Sequence, residues 1–348
     1  MFMRSIKKAA KNPFIIIDVF SFFISFFFFF PFFLFIVGAS MRFAFVRWHH
    51  YGSKEFYIHV FWRTFSIFMA GLLLNAFPFI RQNWDWTTFR IMGVLQRIAL
   101  AYGLASIIAI RFDFKQIIQI ISGILLAYWA LLWFGSSGNP YEVESNFVRI
   151  FDMWILGENH LWSGFGLQFD PEGLLSTFPS VGTVLLGYLA GGMIQTSKQY
   201  SDCAKRMAIF GFGLTIIGFI WGFIFPINKA LWTSSYVLFT GGIALLVLSA
   251  LTWIIDGKQW KKPFWIFEVF GTNSLFIFVG SGLWAKTILK IKFTLEENTI
   301  SGYGYLYQTI FQPFAGDLNG SLLFALSHVL GWWFILYWLY RKKIFIKL

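Results

Sequence analysis

The chain has 348 residues, of which 57% are hydrophobic and only 13% charged, with a mean hydropathy of +0.65 and a formal net charge of +12. A soluble domain carries roughly 25% charged residues, so the composition excludes a large soluble fold and points to an all-α, polytopic transmembrane helical bundle. The basic residues are scattered through short segments and form no stripe, which argues against nucleic acid as a partner; Cys203 stands alone and excludes an intramolecular disulfide or a Cys-based metal or redox motif.

Apolar windows long enough to cross roughly 30 Å of hydrocarbon predict about nine spans. They lie near 14–41, 57–79, 90–110, 116–135, 174–196, 207–225, 231–255, 264–285 and 322–340. The first contains SFFISFFFFF (21–30) after the basic stretch Met1–Lys11. Its apolar run continues to Met41, about twice the length of a signal-peptide core, and further runs follow, so it reads as a span rather than a cleaved leader. The chain, 1–348, reads as a single integral membrane domain with two longer outer loops, 136–173 and 286–321. Membrane lipid is its expected partner, and a homo-oligomer is compatible with such a chain.

Charge sets the orientation. The tail Tyr340–Lys347 is basic, as are the segments holding Arg42, Arg47 and Lys54, then Lys198, Lys205 and Arg206, then Lys258, Lys261 and Lys262. These are expected on the cytoplasmic side. The loop 136–173 holds Glu142, Glu144, Asp152, Glu158, Asp170 and Glu172 against Arg149 alone and is expected outside. With nine spans and a cytoplasmic C-terminus, Arg4, Lys7, Lys8 and Lys11 fall on the outer side, against the rule. Either the span count is off by one or a helix is absent near the start, and absence is the reading preferred here.

Polar groups inside apolar spans are costly and mark candidate sites. In chain order these are Asn75 in GLLLNAFP, Gln96 and Arg97 in GVLQR, Asp170 and Glu172 in FDPEGLLST, Lys229 in PINKALW, and Asn273 in FGTNS. Bland readings stand beside them. Arg97 and Lys229 can snorkel to an interface. Asp170 suits a helix N-cap with Pro171 at the first helical position and Glu172 in the first turn. Asn75 and Asn273 can bridge neighbouring helices. In the orientation above, Asn75, Arg97, Asp170, Glu172 and Lys229 gather near the outer surface, where mixed charges suit a ligand rich in hydroxyls or amines. His49, His50, His59, His160 and His328 show no metal-ligand spacing, so no metal is expected. No nucleophile elbow, phosphate-binding loop or dinucleotide fingerprint occurs in a supporting context.

Several segments together, PFFLFIVGASM (31–41), RIMGVLQRIALAY (90–102), FDPEGLLSTFPSVGTVLLGYLAG (169–191), PINKALWTSSYVLFTGG (226–242), VFGTNSLFIFVGSGL (269–283) and LYRKKIFIKL (339–348), resemble the heparan-α-glucosaminide N-acetyltransferase family and its bacterial relatives. The resemblance runs in order from about residue 31 to the C-terminus. It implies a transmembrane acetyltransferase that moves acetyl from cytosolic acetyl-CoA to the amine of a terminal glucosamine beyond the membrane, here in a bacterial inner membrane. Arg42, Arg47 and Arg63 are available at the inner face for the phosphates of acetyl-CoA, and the outer cluster for the amino sugar. Family members carry a first helix, an outer loop with a functional histidine, and then a helix like 31–38. Here Ile17-Asp18-Val19-Phe20 is joined to that helix by SFFISFFFFF alone, so the loop and one crossing are expected to be missing. No catalytic histidine is carried over, and His160 in GENHLW is the weak substitute. An amino-sugar transporter or uptake accessory protein is the alternative function, and an inactive truncated copy a third.

Overall fold

A computed structural model describes residues 30–46, 53–79, 85–295 and 298–346. The phenylalanine run up to residue 29, Arg47, His49 and His50 lie outside the described residues. The described residues form two compact units, one of 30–75 with 85–260, the other of 76–79 with 261–346.

The larger unit is built of α1 (Phe30–Phe45), α2 (Lys54–Ala76), α3 (Val94–Arg111), α4 (Phe114–Gly135), α5 (Phe147–Leu156), α6 (Thr177–Thr196), α7 (Tyr200–Trp221) and α8 (Ser234–Leu251). A π-helical turn, Thr252–Gly257, prolongs α8. Local chemistry sets several boundaries. Asp113 caps α4 in a reciprocal box with Gln116. Asn146 caps α5 through the amide of Arg149, and Gly157 ends that helix at φ 85°, where a side chain would be strained.

Helix α6 lies at the centre, and it is the most buried of the apolar helices. Its contact with α1 is backbone to backbone. A Cβ on Gly38 would lie 1.8 Å from the carbonyl oxygen of Val184, and one on Gly187 would lie 1.8 Å from that of Phe35. Lipid tails are as apolar as side chains, so close packing through small residues is what joins helices in a bilayer. Phe61, Trp62, Phe210, Phe212 and Phe219 remain exposed on α2 and α7, as lipid-facing positions should. One apolar cluster joins α1, α6, α7 and α8 through Phe35, Ala190, Met207 and Leu245. A second, with Tyr128, Leu132, Val148, Phe169, Leu175, Phe225 and Leu231, lies under the segments between the helices.

The smaller unit contains α9 (Trp265–Thr272) and α10 (Ser274–Lys290), a hairpin of β1 (Lys292–Leu295) and β2 (Asn298–Ser301), then α11 (Gly302–Leu306) and α12 (Gln312–Arg341). The antiparallel register pairs Lys292 with Ser301 and Leu295 with Asn298. Segment 286–321, which reads as a loop, is thus mostly hairpin and helix. Gly316, at φ 73° and ψ −175°, kinks the helical run, which accounts for a sequence signal that starts only near 322. Val269, Leu336 and Leu339 form the core.

Among the described residues, seven helices are long and apolar enough to cross a membrane, or eight if α9 and α10, bent by 67° with the short turn before them, form one span. Phe30–Phe45 is a shorter apolar helix. This is an all-α polytopic membrane protein. The span expected at 174–196 begins later, at Thr177, with Asp170–Ser176 preceding it as a folded turn. Asp170 therefore does not cap the helix; its Oδ1 accepts the amide of Glu172 at 2.9 Å, a local turn that a short acidic side chain favours.

Candidate functional site

Before α3 the chain runs extended through Phe89–Gly93. Asn75 donates from Nδ2 to the carbonyls of Arg90 (3.1 Å) and Met92 (3.2 Å). Gln96 donates to the carbonyl of Ile91 at 2.9 Å. Both residues, expected to meet a ligand, are engaged with backbone and hold Arg90–Met92 in place. Gly71 makes room for this, since a Cβ there would lie 2.4 Å from Gln96 Oε1. His160 fastens the same segment, with Nδ1 2.7 Å from the carbonyl of Phe89. A carbonyl only accepts, so Nδ1 carries the hydrogen and the neutral ring keeps its lone pair on Nε2.

Held this way, Arg90 reaches the turn before α6. Its Nε donates to Asp170 Oδ2 at 2.8 Å and its Nη2 to Oδ1 at 2.7 Å, a bidentate pair, and Nη2 also meets Glu172 Oε2 at 2.9 Å. The Asp170 side chain is fully buried, whereas 29% of the Arg90 side chain is exposed. Burial opposes the charge on Arg90, but the two carboxylates outweigh it and raise its pKa above the ordinary value.

Arg97, one turn into α3, is fully buried. Nη2 donates to the carbonyl of Pro171 at 2.8 Å and to Ser176 Oγ. The guanidinium lies over the Trp232 ring, 4.9 Å from its centroid. Its Nε and Nη1 meet no hydrogen-bond partner among the described residues. Trp232 is itself buried, and its φ of 50° is rare for a bulky residue. Such strain persists where the surroundings over-determine the backbone, and here it places the indole beneath Arg97.

Two further ionisable groups complete the cluster. Asp152 on α5 accepts the Leu175 amide at 3.0 Å through Oδ1. Its buried Oδ2 has no hydrogen-bond partner among the described residues and lies where a Cβ on Gly173 would be. Burial pushes its carboxyl up to about 7. Lys229, half-buried in the turn between α7 and α8, is pushed down to about 7 by burial, which the nearby Glu172 opposes and Arg97 reinforces.

The structure thus brings together Arg97, Asp170, Glu172 and Lys229, and uses Asn75, Gln96 and His160 to fix their neighbours. Arg90 and Asp152 escape the sequence reading. Arg90 reads as the first residue of a span and Asp152 as one of several loop acids. A count of charges around DPEG is the signal that would have found Arg90, because two buried carboxylates require cations. Asn273 belongs to the smaller unit. It donates to the carbonyl of Ile344 (3.1 Å) and accepts the amide of Ile346 (2.7 Å), tying the α9–α10 bend to the tail.

A cation also stands at the other end of α6, where Arg42 donates to Gln195 Oε1 (2.8 Å) and Tyr188 Oη (2.9 Å). Arg63, expected at the inner face, is exposed on α2 and lies over the ring of Tyr102, midway along α3, at 5.1 Å. At 1.5 Å per residue, Gln195 stands about 27 Å along α6 from Thr177. Guanidinium groups are suited to phosphate; Arg42 is engaged here by Gln195 and Tyr188. Arg47 lies outside the described residues.

No family model matches the chain. It is 24% identical over 374 residues to heparan-α-glucosaminide N-acetyltransferase of Homo sapiens, covering 91% of this chain and 53% of the relative. It is also 24% identical over 376 residues to the Mus musculus protein of the same name, covering 91% and 54%. The chain spans about half the length of the curated relatives it matches, and it is a distant relative of them.

Proposed function

We propose that the protein is a transmembrane acetyltransferase: it takes acetyl from acetyl-CoA at the cytosolic face and delivers it to the amine of a glucosamine-type sugar at the outer face of a bacterial inner membrane, with its C-terminus cytoplasmic. The observation that carries the reading is the charged cluster of Arg90, Arg97, Asp170, Glu172 and Lys229 at one end of the helices. Its carboxylates accept from hydroxyl and ammonium groups, and its guanidinium N–H groups donate to hydroxyl or acyl oxygens. A sugar amine asks for that mixture. The distant relatives support the same activity, and Arg42 at the far end of α6, with Arg63 exposed on α2, would hold the phosphates of acetyl-CoA.

In this reading His160 is a positioning residue that holds the Phe89 carbonyl beside Arg90. Membranes containing the protein, given labelled acetyl-CoA and glucosamine, are expected to form labelled N-acetylglucosamine. Arg97→Ala and Asp170→Asn are each expected to lower the rate about 100-fold or more, as loss of a charged group from a buried polar site does. Transfer at the wild-type rate in both variants contradicts the site. Uptake of glucosamine that needs no acetyl-CoA, without acetylation, contradicts the reaction and favours a transporter.

A further inference from the structure

Away from the charged cluster, the larger unit holds an apolar cleft of about 520 Å³. Its floor is α6 and α8, through the buried Leu189 and Leu245. Its walls are α4 and α7, where Phe114, Leu126 and Phe210 line it and remain exposed at its rim. Among the described residues that line it, Ser122 carries the only hydroxyl and none is charged. All four helices are long and apolar enough to cross a membrane, so the cleft lies at the depth of the bilayer. Water gains little in an apolar cleft, whereas hydrocarbon makes dispersion contacts along its walls.

The two ends of the cleft differ. Towards the charged cluster, Trp129 of α4 and Trp221 of α7 meet edge to face with ring centroids 5.7 Å apart, which joins the walls. At the opposite end stand exposed cations: Lys115 beside Phe114, Lys198 just after α6, and Arg206 one turn before Phe210 on the same face of α7. Arg206 Nη2 donates to Ser197 Oγ at 2.9 Å, and Cys203 Sγ to the carbonyl of Met193, a lining residue, at 3.3 Å. These bonds fix the basic start of α7 beside the end of α6. Arg111 and Lys205 add positive charge there, and Asp113 and Asp202 negative charge. Asp113 caps α4, and the end stays positive.

Size narrows the occupant. Phe114 to Leu126 spans about 18 Å of helix, comparable with one leaflet of a hydrocarbon core roughly 30 Å thick. Spread over that length, the volume gives a section of roughly 30 Å². A helix with its side chains is about 10–12 Å across, or roughly 80–110 Å², so a helix of a second copy does not fit and a methylene chain does. A nucleotide thioester is equally unsuited, because its amides and phosphates would find no partners along this lining.

We propose that this cleft binds an acyl chain of an anionic phospholipid, with the chain lying along α6 between α4 and α7 and the phosphate at the basic end near Lys115, Lys198 and Arg206. Basic side chains at the edge of a membrane span attract anionic headgroups, and lysine stems reach the headgroup level while their amines stay solvated. The shape sets the direction of entry: the tail points towards the Trp129–Trp221 contact and the head stays where the cations are.

Native mass spectrometry of the full chain in detergent, titrated with dioleoyl phosphatidylglycerol or dioleoyl phosphatidylcholine, tests this. One phosphatidylglycerol per chain is expected to be retained at concentrations about 10-fold lower than phosphatidylcholine. Ser122→Trp starts from an exposed position and puts an indole into the cleft, so it is expected to weaken retention of both lipids about 10-fold or more. Lys115→Glu combined with Lys198→Glu is expected to abolish the preference for phosphatidylglycerol and to leave phosphatidylcholine little changed. Photolysis of wild-type protein with a phosphatidylglycerol carrying a diazirine in its acyl chain needs no variant, and is expected to label Leu186–Met193 on the central α6. No retained lipid, label confined to the outer faces of α4 and α7, or wild-type retention by folded Ser122→Trp overturns the proposal. Equal retention of the two lipids overturns the anionic headgroup. A two-chain mass that lipid does not alter, with α6 unlabelled, assigns the cleft to a second copy and overturns it as well.

Discussion

Arg90 bonds to Asp170 with two nitrogens and to Glu172 with one of them, and Asp170 is wholly buried. Removing one partner of a buried pair leaves a charge without compensation, which costs about 3–5 kcal/mol. The partial exposure of Arg90 places Arg90→Ala at the lower end, so a loss of about 3 kcal/mol is expected in chemical unfolding. Arg90→Lys keeps the charge but not the fork, and is expected to recover only part of it. Asp152 makes a different prediction. Its folded-state pKa of about 7 lies above the ordinary value of 3.8, so its stabilising contribution is full below about pH 4 and is lost as pH rises through about 7. Asp152→Asn, which remains neutral and can still accept the Leu175 amide, is expected to raise the melting temperature at pH 8 by roughly 2–4 °C for each kcal/mol recovered, with little change at pH 4. Equal effects at both pH values contradict the assignment. At this scale Arg97, Asp170, Glu172 and Lys229 were legible because a charge in or beside an apolar run is conspicuous. Asn75 and Gln96 were equally visible, but their backbone partners 15 and five residues away leave no mark in a residue string.

Among the helices, the contact of α1 with α6 depends on two glycines whose missing Cβ atoms let the backbones touch. Gly187→Val is expected to force the helices apart and to cost at least the 1–3 kcal/mol typical of overpacking, read as a lower melting temperature or loss of monodisperse protein in detergent. Gly123→Ala on α4, where nothing lies within 4 Å of the added carbon, is expected to be neutral or to stabilise by roughly 0.5–1 kcal/mol. Equal destabilisation by both changes removes the close-packing argument. The apolar windows revealed the helices because length and hydropathy are local properties. Their ends were harder to read. DPEG resembles a helix start, yet its carbonyls go to Arg97 and its Asp170 to Arg90, and tertiary partners delay α6 to Thr177. The α9–α10 bend and the 292–301 hairpin likewise depend on contacts that hydropathy does not report.

Across the larger unit, α6 runs from the turn that holds Asp170 and Glu172 to the end where Arg42 meets Gln195. That length, about 27 Å, is close to the roughly 30 Å of bilayer hydrocarbon, so Arg42 and the mixed-charge cluster stand about one membrane thickness apart. Composition alone made the membrane setting legible, and the order of the family-like segments made the acetyltransferase reading legible. The burial of the cluster was not, because it is made by four segments between residues 90 and 229. The measurement that tests this account most directly uses sealed vesicles with the cytoplasmic face outward, labelled acetyl-CoA outside and glucosamine inside. The account predicts labelled N-acetylglucosamine in the lumen, at a rate that falls about 100-fold or more in Arg97→Ala. Label on the sugar only when donor and acceptor share one compartment, or none from folded and inserted protein, contradicts it.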